Sequence, residues 1–261
     1  MAKRCLAIVL TLVLLLSCAA FAESTLDSVL QSGVLRVGIG SSNGGWSIID
    51  AEGNWTGYDY SIAKSLADSM GVELQLITGE AADRIAMLQA DKVDLVVFGF
   101  TYTPERAKSV AFTFPYATEG LTAVFRDDSV LDSWDEFTGL KIGVQRGGTA
   151  DVISAKLFEA DNEIIRYDGA SDNLMALVTG KVDVIIEGDD IAYSYLEVYD
   201  NLRVIEASAL DRSYICMATQ LGDADWLNYV NTFILNNLVS GNFASLYEEN
   251  FGHELGNLFD F

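Results

Sequence analysis

The sequence predicts an α/β fold made of two similar lobes, because two short patterns each occur twice along the chain. Residues 33–39 (GVLRVGI) return as residues 138–144 (TGLKIGV), and residues 88–97 (LQADKVDLVV) return as residues 177–186 (LVTGKVDVII). The first pattern is typical of a strand that enters a glycine-rich turn. The second is typical of a helix end, a Lys-Val-Asp turn and a buried β-branched strand. Two matching pairs in the same order therefore predict two α/β lobes.

The segments between these patterns supply the remaining helices and strands. Residues 60–70 have apolar side chains at helical spacing and are followed by Gly71, which predicts a helix that ends there. Residues 72–77 alternate between apolar and polar side chains, as a strand does. The second half predicts the same alternation, with a helix over 150–160, a strand over 164–167 and a helix over 171–178. Strands that alternate with helices indicate mostly parallel sheets.

The last part of the chain and the boundary between the lobes complete the predicted architecture. Residues 226–251 have the apolar spacing of a helical segment but are too few for a domain, so we expect them to pack onto a lobe. No linker rich in proline or serine separates the lobes. Ordered strands that cross this boundary would form a hinge, and the cleft between two hinged lobes is the natural place for a ligand.

Composition and charge exclude several classes of function. The chain has 261 residues, of which 38 are acidic and 16 basic, and half are hydrophobic, as in a folded globular protein. The net charge of −22 makes a nucleic acid or an anionic membrane surface an improbable partner. The sequence contains a single histidine, His253, which argues against histidine-based triads and histidine-ligated metal sites. The sequence predicts neither a metal site nor a cofactor.

The N-terminus has the pattern of a signal peptide over residues 1–22. Lys3 and Arg4 precede an eleven-residue apolar run at 6–16, and Ala-Phe-Ala at 20–22 forms a cleavage site. The run is too short to span a bilayer, which needs about 20 residues. The predicted mature chain keeps 14 basic residues against 38 acidic ones, a charge of −24, and acts outside the cytoplasm.

Cys18 leaves open a second route of export, as a lipoprotein. Cys18 follows Leu-Leu-Ser, which resembles a lipoprotein box, so lipidation of Cys18 would give a protein anchored at the cell surface. The well-formed cleavage site favours soluble export, to the periplasm, instead. After cleavage only Cys216 remains, so no internal disulfide is possible and the fold depends on its hydrophobic core.

One stretch resembles an enzyme motif by chance. Residues 40–44 (GSSNG) match a serine nucleophile elbow, but the triad also needs a histidine, and His253 lies within the last nine residues. A polar turn after a strand explains this stretch better, because five-residue motifs recur by chance.

A second motif, TYTPER at residues 101–106, indicates an anion site. Thr103 suits an N-cap and Pro104 suits the first position of a helix, so we expect a helix to begin here. Arg106 would then lie in the first turn, where the helix dipole disfavours a cation unless an anion is bound there. Its guanidinium can hold a carboxylate by two hydrogen bonds. The alternative is a surface arginine paired with Glu105 or Asp91.

The second lobe offers a parallel turn. Gly147, Gly148 and Thr149 follow the repeated strand and begin a predicted helix. Glycines allow backbone amides to approach a ligand, and the threonine can cap the helix or donate its hydroxyl. Taken alone, these residues are equally typical of an ordinary glycine-rich turn.

Together these motifs resemble the family 3 solute-binding proteins, the extracytoplasmic receptors that supply polar amino acids to ABC importers. The resemblance extends from about residue 32 to residue 252. Its marks are GVLRVG at 33–38, GYD at 57–59, KVD at 92–94, TYTPER at 101–106, FTFPY at 112–116, GLKIGV at 139–144 and GKVD at 180–183. The pair TYTPER and FTFPY, at this spacing, is the most specific of them. The resemblance implies the periplasmic-binding-protein type II fold, two α/β lobes joined by two hinge strands. It places lobe 1 at 24–118 and 211–261, and lobe 2 at 119–210.

The resemblance also implies which residues hold a ligand. Arg106 would bind the ligand's carboxylate, assisted by the Thr101 hydroxyl and the Gly99 backbone. From lobe 2, the turn formed by Gly147, Gly148 and Thr149 would contribute amides and a hydroxyl.

An aromatic side chain near Trp46 would cover the ligand, although the more common stacking position is occupied by Asn43.

The chain departs from the family pattern at several ligand positions. Gly40 and Gly188 stand where aspartates usually bind the α-ammonium group. The usual sandwiching aromatic falls near Ala81, and Phe98 replaces a small residue.

Other side chains of the chain could compensate. We expect Asp189 or Glu187 to replace the ammonium anchor, and Phe98 or Trp46 to replace the missing wall. Otherwise the ammonium group of an α-amino acid would be buried without a partner, at a cost of several kcal/mol.

The sequence therefore predicts an extracytoplasmic binding protein for a small carboxylate-bearing solute, an amino acid or a derivative, that delivers it to the membrane permease of an ABC importer. We expect a monomer that is not an enzyme. The alternatives are a secreted dehydratase on the same fold, which needs a carboxylic acid in the cleft as proton donor, and a subunit that senses a ligand for a membrane receptor.

Overall fold

The computed structural model describes residues 24–41, 44–205, 210–256 and 258, and the side chains of residues 210 and 211 are not among those it describes. The predicted signal peptide, with Cys18, and the predicted stacking position Asn43 therefore lie outside the described residues. The described chain forms two α/β lobes that share one continuous mixed sheet.

Lobe 1 is built around a parallel sheet with helices packed on it. Its elements are α1 (Thr25–Ser32), β1 (Val34–Ile39), β2 (Ile48–Ile49), β3 (Trp55–Thr56), α2 (Tyr58–Met70), β4 (Glu73–Thr78), α3 (Arg84–Gln89) and β5 (Leu95–Val96). Strand β1 pairs in parallel with β4 and with β5. Helix α2 buries Ile62, Ala63 and Leu66. It ends at Gly71, whose φ of 68° is easily adopted only by glycine, so the predicted helix end is confirmed.

Two long antiparallel strands join the lobes. They are β6 (Ala111–Arg126) and β11 (Leu210–Thr219), which pair with each other. The first half of β6 pairs with β11, and its second half pairs with strands of lobe 2. The predicted lobe boundaries fall in or beside these two strands.

Lobe 2 repeats the topology of lobe 1. Its elements are β7 (Lys141–Gln145), α4 (Thr149–Leu157), β8 (Glu163–Tyr167), α5 (Ala170–Val178), β9 (Val184–Gly188), α6 (Asp189–Leu196) and β10 (Leu202–Val204). Strand β7 pairs in parallel with β8 and β9, as β1 does with β4 and β5. The strand order through the whole sheet is β4-β1-β5-β11-β6-β9-β7-β8, with β10 beside β6. The repeated sequence patterns therefore correspond to repeated structure.

The C-terminal segment packs back onto lobe 1, as predicted. It forms α7 (Ala224–Val239) and α8 (Asn242–Phe251), which are separated by Gly241 at a φ of 77°. Trp226 is fully buried, and its Nε1 donates to the carbonyl of Asp94, 2.8 Å away. This indole anchors α7 to the turn before β5.

The helix predicted at Thr103 and Pro104 is wrong in type and length. The backbone makes only a 3₁₀ turn over Arg106–Lys108, because the chain enters β6 at Ala111. The Thr103 hydroxyl still accepts a hydrogen bond from the Arg106 N–H, at 3.2 Å. So short a turn has almost no dipole, so Arg106 is explained by its contacts and not by a helix terminus.

Candidate functional site

The candidate site is a cleft between the lobes, lined by side chains from both. Six of the predicted site residues line it, namely Phe98, Gly99, Thr101, Gly148, Thr149 and Glu187. Arg84 and Glu119, which the sequence did not single out, also line it. The cleft therefore combines cations, carboxyl groups, hydroxyls and backbone amides in one place.

Arg106 lies directly behind the cleft wall and bridges the two lobes. Its guanidinium donates to the carbonyl of Thr101 at 2.8 Å, to the hydroxyl of Thr149 at 3.4 Å and to the carbonyl of Gly147 at 3.0 Å. The Thr149 hydroxyl in turn donates to the Thr101 hydroxyl, 2.7 Å away. Burial lowers the pKa of Arg106 to about 10, so it remains a cation at neutral pH. The structure thus brings together the two motifs that the sequence placed on separate lobes.

Arg84 is a second guanidinium beside Arg106, and its side chain is buried. It donates to the carbonyls of Ala81, Phe98 and Gly99 in lobe 1 and to that of Gly147 in lobe 2, at 2.7–3.2 Å. Burial, and then the charge of Arg106, lower its pKa to about 9. The sequence did contain a signal for it, because Arg84 shares a helix face with the buried Met87 and Leu88.

Both guanidinium groups lie over the ring of Phe100, at 4.3 Å from its centroid for Arg84 and 5.1 Å for Arg106.

These two arginines differ from all the others in residues 24–41, 44–205, 210–256 and 258. The other arginines there each lie within 4 Å of a carboxylate, namely Arg36, Arg126, Arg146, Arg166, Arg203 and Arg212. Arg84 and Arg106 form no such ion pair within that range. Buried cations are normally paired, because an isolated buried charge is costly. Two adjacent guanidinium groups without a carboxylate partner have the chemistry that suits an anion.

Gly99 lines the cleft, but its backbone is already engaged. Its N–H donates to the buried carboxyl group of Asp59 at 2.8 Å, and its carbonyl accepts from Arg84. Asp59 also accepts a hydrogen bond from the Tyr116 hydroxyl, 2.6 Å away, and burial raises its pKa to about 7. Gly99 is thus held in place by a buried network, and its amide is not free for a ligand.

Trp46 does not cover the cleft. It is fully buried and packs against Tyr58, Tyr116 and Phe251, with ring centroids 5.1–6.2 Å apart. The expectation that this indole forms the missing wall is therefore wrong, because C-terminal helix α8 encloses it in the core of lobe 1.

The two acidic residues expected to bind an ammonium group are engaged elsewhere. Asp189 accepts hydrogen bonds from the N–H of Gly120 at 3.1 Å and from Arg212 at 2.6 Å. Glu187 is buried and accepts a hydrogen bond from Asn173 at 2.5 Å, and burial raises its pKa to about 7. Glu187 reaches the cleft wall, whereas Asp189 is tied to hinge strand β11.

The two unusual glycines each make room for a side chain from a neighbouring segment, Phe98 just after β5 and Glu119 in β6. A Cβ atom on Gly40 would lie 2.4 Å from the ring of Phe98, and a Cβ atom on Gly188 would lie 1.9 Å from Oε1 of Glu119. Gly188 has φ and ψ of −58° and 143°, which any residue adopts, so space and not the backbone requires glycine there. Phe98 therefore fills one of the two vacated positions and Glu119 the other.

Phe98 also separates the cleft from a second cavity. That cavity is lined by Gly40, Glu80 and Asp168 among others, and Phe98 forms part of both walls. We expect Phe98→Ala to join the two spaces, so that the cleft accepts longer solutes than the wild-type cleft does. A thermal-shift screen of the twenty common L-amino acids checks this.

Leu88→Ala provides the matched control for that screen, because Leu88 lies in the same core cluster as Phe98 but does not line the cleft. Both variants should lose stability by about 2–5 kcal/mol. An unchanged ligand profile for Phe98→Ala would contradict its role as a partition.

A family comparison agrees with this geometry. Residues 35–253 match the model of the bacterial extracellular solute-binding proteins, family 3. The chain belongs to this family. The members of this family are described as extracellular proteins. In the described part of this solute-binding protein, no helix is both long and apolar enough to cross a membrane.

Three known proteins show the range of this solute-binding family. The L-arginine-binding protein of Pseudomonas aeruginosa is 30% identical over 174 residues, which cover 66% of this chain and 67% of that protein. The cyclohexadienyl dehydratase of the same species is 25% identical over 168 residues, 63% of this chain and 62% of the enzyme. An ancestral amino acid-binding protein, described as a precursor of cyclohexadienyl dehydratase, has a solved structure. It superposes with a TM-score of 0.81 at 29% identity, covering 87% of this chain and 99% of that one. The predicted type II periplasmic-binding fold of this solute-binding protein is thus confirmed.

Proposed function

We propose that this protein captures a small carboxylate-bearing solute, an amino acid or a derivative, in the cleft and delivers it to the membrane permease of an ABC importer. It acts as a monomeric binding protein and not as an enzyme. The observation that supports this most directly is the pair of adjacent arginines, the buried Arg84 and the partly buried Arg106, which have no carboxylate partner among the described residues.

The cleft offers a carboxylate several further donors. The hydroxyls of Thr101 and Thr149 lie 2.7 Å apart beside Arg106, and helix α4 begins at Thr149 on the cleft wall. The first N–H groups of a helix have no partner within the helix and favour an anion. A carboxylate that accepted from Arg106 would replace its hydrogen bonds to the Gly147 carbonyl and the Thr149 hydroxyl, both on lobe 2. Ligand binding and contact between the lobes would therefore be coupled.

Mass spectrometry tests this function. The purified protein is denatured, and the released small molecules are identified and then titrated back by calorimetry. The proposal predicts a bound or re-binding solute with a free carboxylate. Saturable binding only of solutes without a carboxylate would contradict it.

A second candidate, a secreted dehydratase, is favoured by Glu119. A dehydratase on this fold needs a carboxylic acid in the cleft, and Glu119 lies there, where burial holds the pKa of its carboxyl group well above the ordinary value. Such a group keeps its proton to a higher pH than an ordinary glutamic acid does, and it can act as a proton donor. The dehydratase relative adds to this candidate. Turnover of prephenate or arogenate by the purified protein would establish it, and absence of turnover would leave the binding function.

We infer that the protein is exported to the periplasm as a soluble chain. The support is the cleavage site at 20–22, whereas lipidation would occur at Cys18. The intact mass of the mature protein distinguishes the two, because only the second route adds acyl chains.

A further inference from the structure

We propose that the Glu119 carboxylate accepts the hydrogen bonds of the ligand's ammonium group, from a position that Gly188 leaves open. This rests on the proposed function and narrows its ligand class from carboxylate-bearing solutes to those that also carry an ammonium group close to the carboxylate. Glu119 would then distinguish an amino acid from the corresponding hydroxy acid.

The first support is that Glu119 lines the cleft with its carboxyl group unused. No residue of the described chain donates a hydrogen bond to it, and no arginine, lysine or histidine there lies within 4 Å of it. The other carboxyl groups near the cleft are engaged, Glu187 by Asn173 and Asp189 by Arg212. A carboxyl group that faces a cleft without a partner is available for a cationic group of the ligand.

The second support is the space around Gly188. Oε1 of Glu119 lies 1.9 Å from the point that a Cβ atom on residue 188 would occupy, so a side chain at 188 and the present position of Glu119 exclude each other. Residues 122 and 187 are partners on β6 and β9, as are residues 121 and 188, so both strands are fixed next to this point. The carboxylate therefore reaches, from the hinge strand, the space that a side chain on β9 would otherwise fill.

The third support is the arrangement of charge. Arg84 lines the same cleft as Glu119, and Arg106 lies directly behind it. A carboxylate on the arginines and an ammonium on Glu119 would give the arginines an anion and the glutamate a cation at once. A plain carboxylic acid would leave the glutamate without a partner.

The protonation of Glu119 gives this proposal a distinctive signature. Burial raises the pKa of its carboxyl group well above the ordinary value, and the charges of Asp190, Asp189 and Glu187 add to this, while Arg84 opposes it. In the free protein this carboxyl group therefore keeps its proton to a higher pH than an ordinary glutamic acid does. An ammonium group bound to it lowers its pKa, so binding releases a proton, and affinity rises with pH up to the pKa of the free protein.

The experiment compares two ligands that differ only in the ammonium group. The probe is the L-amino acid that stabilises the full mature protein most in a thermal-shift screen of the twenty common L-amino acids and L-cystine, together with its α-hydroxy acid counterpart. Calorimetry is performed with the wild type, with Glu119→Gln and with the exposed control Glu163→Gln. Two buffers of different ionisation enthalpy report the released proton.

We expect Glu119→Gln to lower the affinity for the amino acid about 10- to 100-fold and to change the affinity for the hydroxy acid by less than about threefold. It should also abolish the release of a proton on binding. Glu119→Gly combined with Gly188→Asp should restore preference for the amino acid. If Glu119→Gln lowers the affinity for both ligands equally, or for neither, the proposal is overturned while the proposed function stands. If the wild type binds no carboxylate-bearing compound at all, the proposed function itself fails.

Discussion

Replacement of Arg106 by alanine is expected to lower the affinity for the bound solute by at least about 100-fold, because the solute's carboxylate loses its charged partner. The substitution also removes the donor that now joins the carbonyls of Thr101 and Gly147, so two lobes lose a direct contact. Isothermal titration of the solute identified by mass spectrometry measures the loss.

Two matched variants serve as controls for Arg106→Ala. Arg106→Lys keeps the charge but not the two-pronged geometry, so its loss should be intermediate. Arg146→Ala removes an exposed arginine that is paired with Asp168 at 2.9 Å, and it should leave affinity almost unchanged. Unchanged affinity in Arg106→Ala, in a protein that remains folded, would show that Arg106 does not hold the ligand.

Arg84 has a different part in the same site. Its donors already reach four backbone carbonyls, those of Ala81, Phe98, Gly99 and Gly147. It therefore fixes the walls of the cleft and supplies positive charge, whereas Arg106 has lobe 2 partners that a ligand can replace.

The fold could be predicted largely because it is a repeat. The pattern at 33–39 and 138–144 became β1 and β7, and each of these strands pairs in parallel with two neighbours in the same order. Periodicity reports local structure and burial, so helix α2 and its end at Gly71 followed directly. The helix expected at Pro104 did not form, because entry into β6 is a tertiary constraint that capping residues do not encode.

The candidate site could be predicted only where a motif marks it. Arg106 and Thr149 belong to motifs, and the structure places them in contact. Glu119 belongs to no motif and sits in a long strand, so its approach to Gly188 depends on the pairing of β6 with β9, which a single sequence does not reveal. Arg84 had only a weak signal, its place on an apolar helix face.

Trp46 illustrates a distinction that sequence alone could not make, between an aromatic that covers a ligand and one that fills a core. Both are aromatic residues in a glycine-rich turn after a strand. The structure places the indole among Tyr58, Tyr116 and Phe251, with no accessible surface. Its role is therefore to fasten helix α8 to lobe 1.

Trp46→Ala is accordingly expected to destabilise the protein by about 3–5 kcal/mol, because it leaves a large cavity beneath α8 that the surrounding rings cannot fill. Solute affinity per folded molecule should be little changed, since the side chain lies away from the cleft lining. Urea unfolding followed by circular dichroism gives the stability, and calorimetry below the unfolding transition gives the affinity.

Trp46→Phe is the informative companion to that variant. Nε1 of Trp46 donates to no described acceptor, so phenylalanine loses volume but no hydrogen bond. Its free energy of unfolding should therefore fall by much less than that of Trp46→Ala. If instead Trp46→Ala kept its stability and lost affinity, Trp46 would cover the ligand after all, and the cleft would have to extend past Gly40 into the region now filled by Tyr58 and Tyr116.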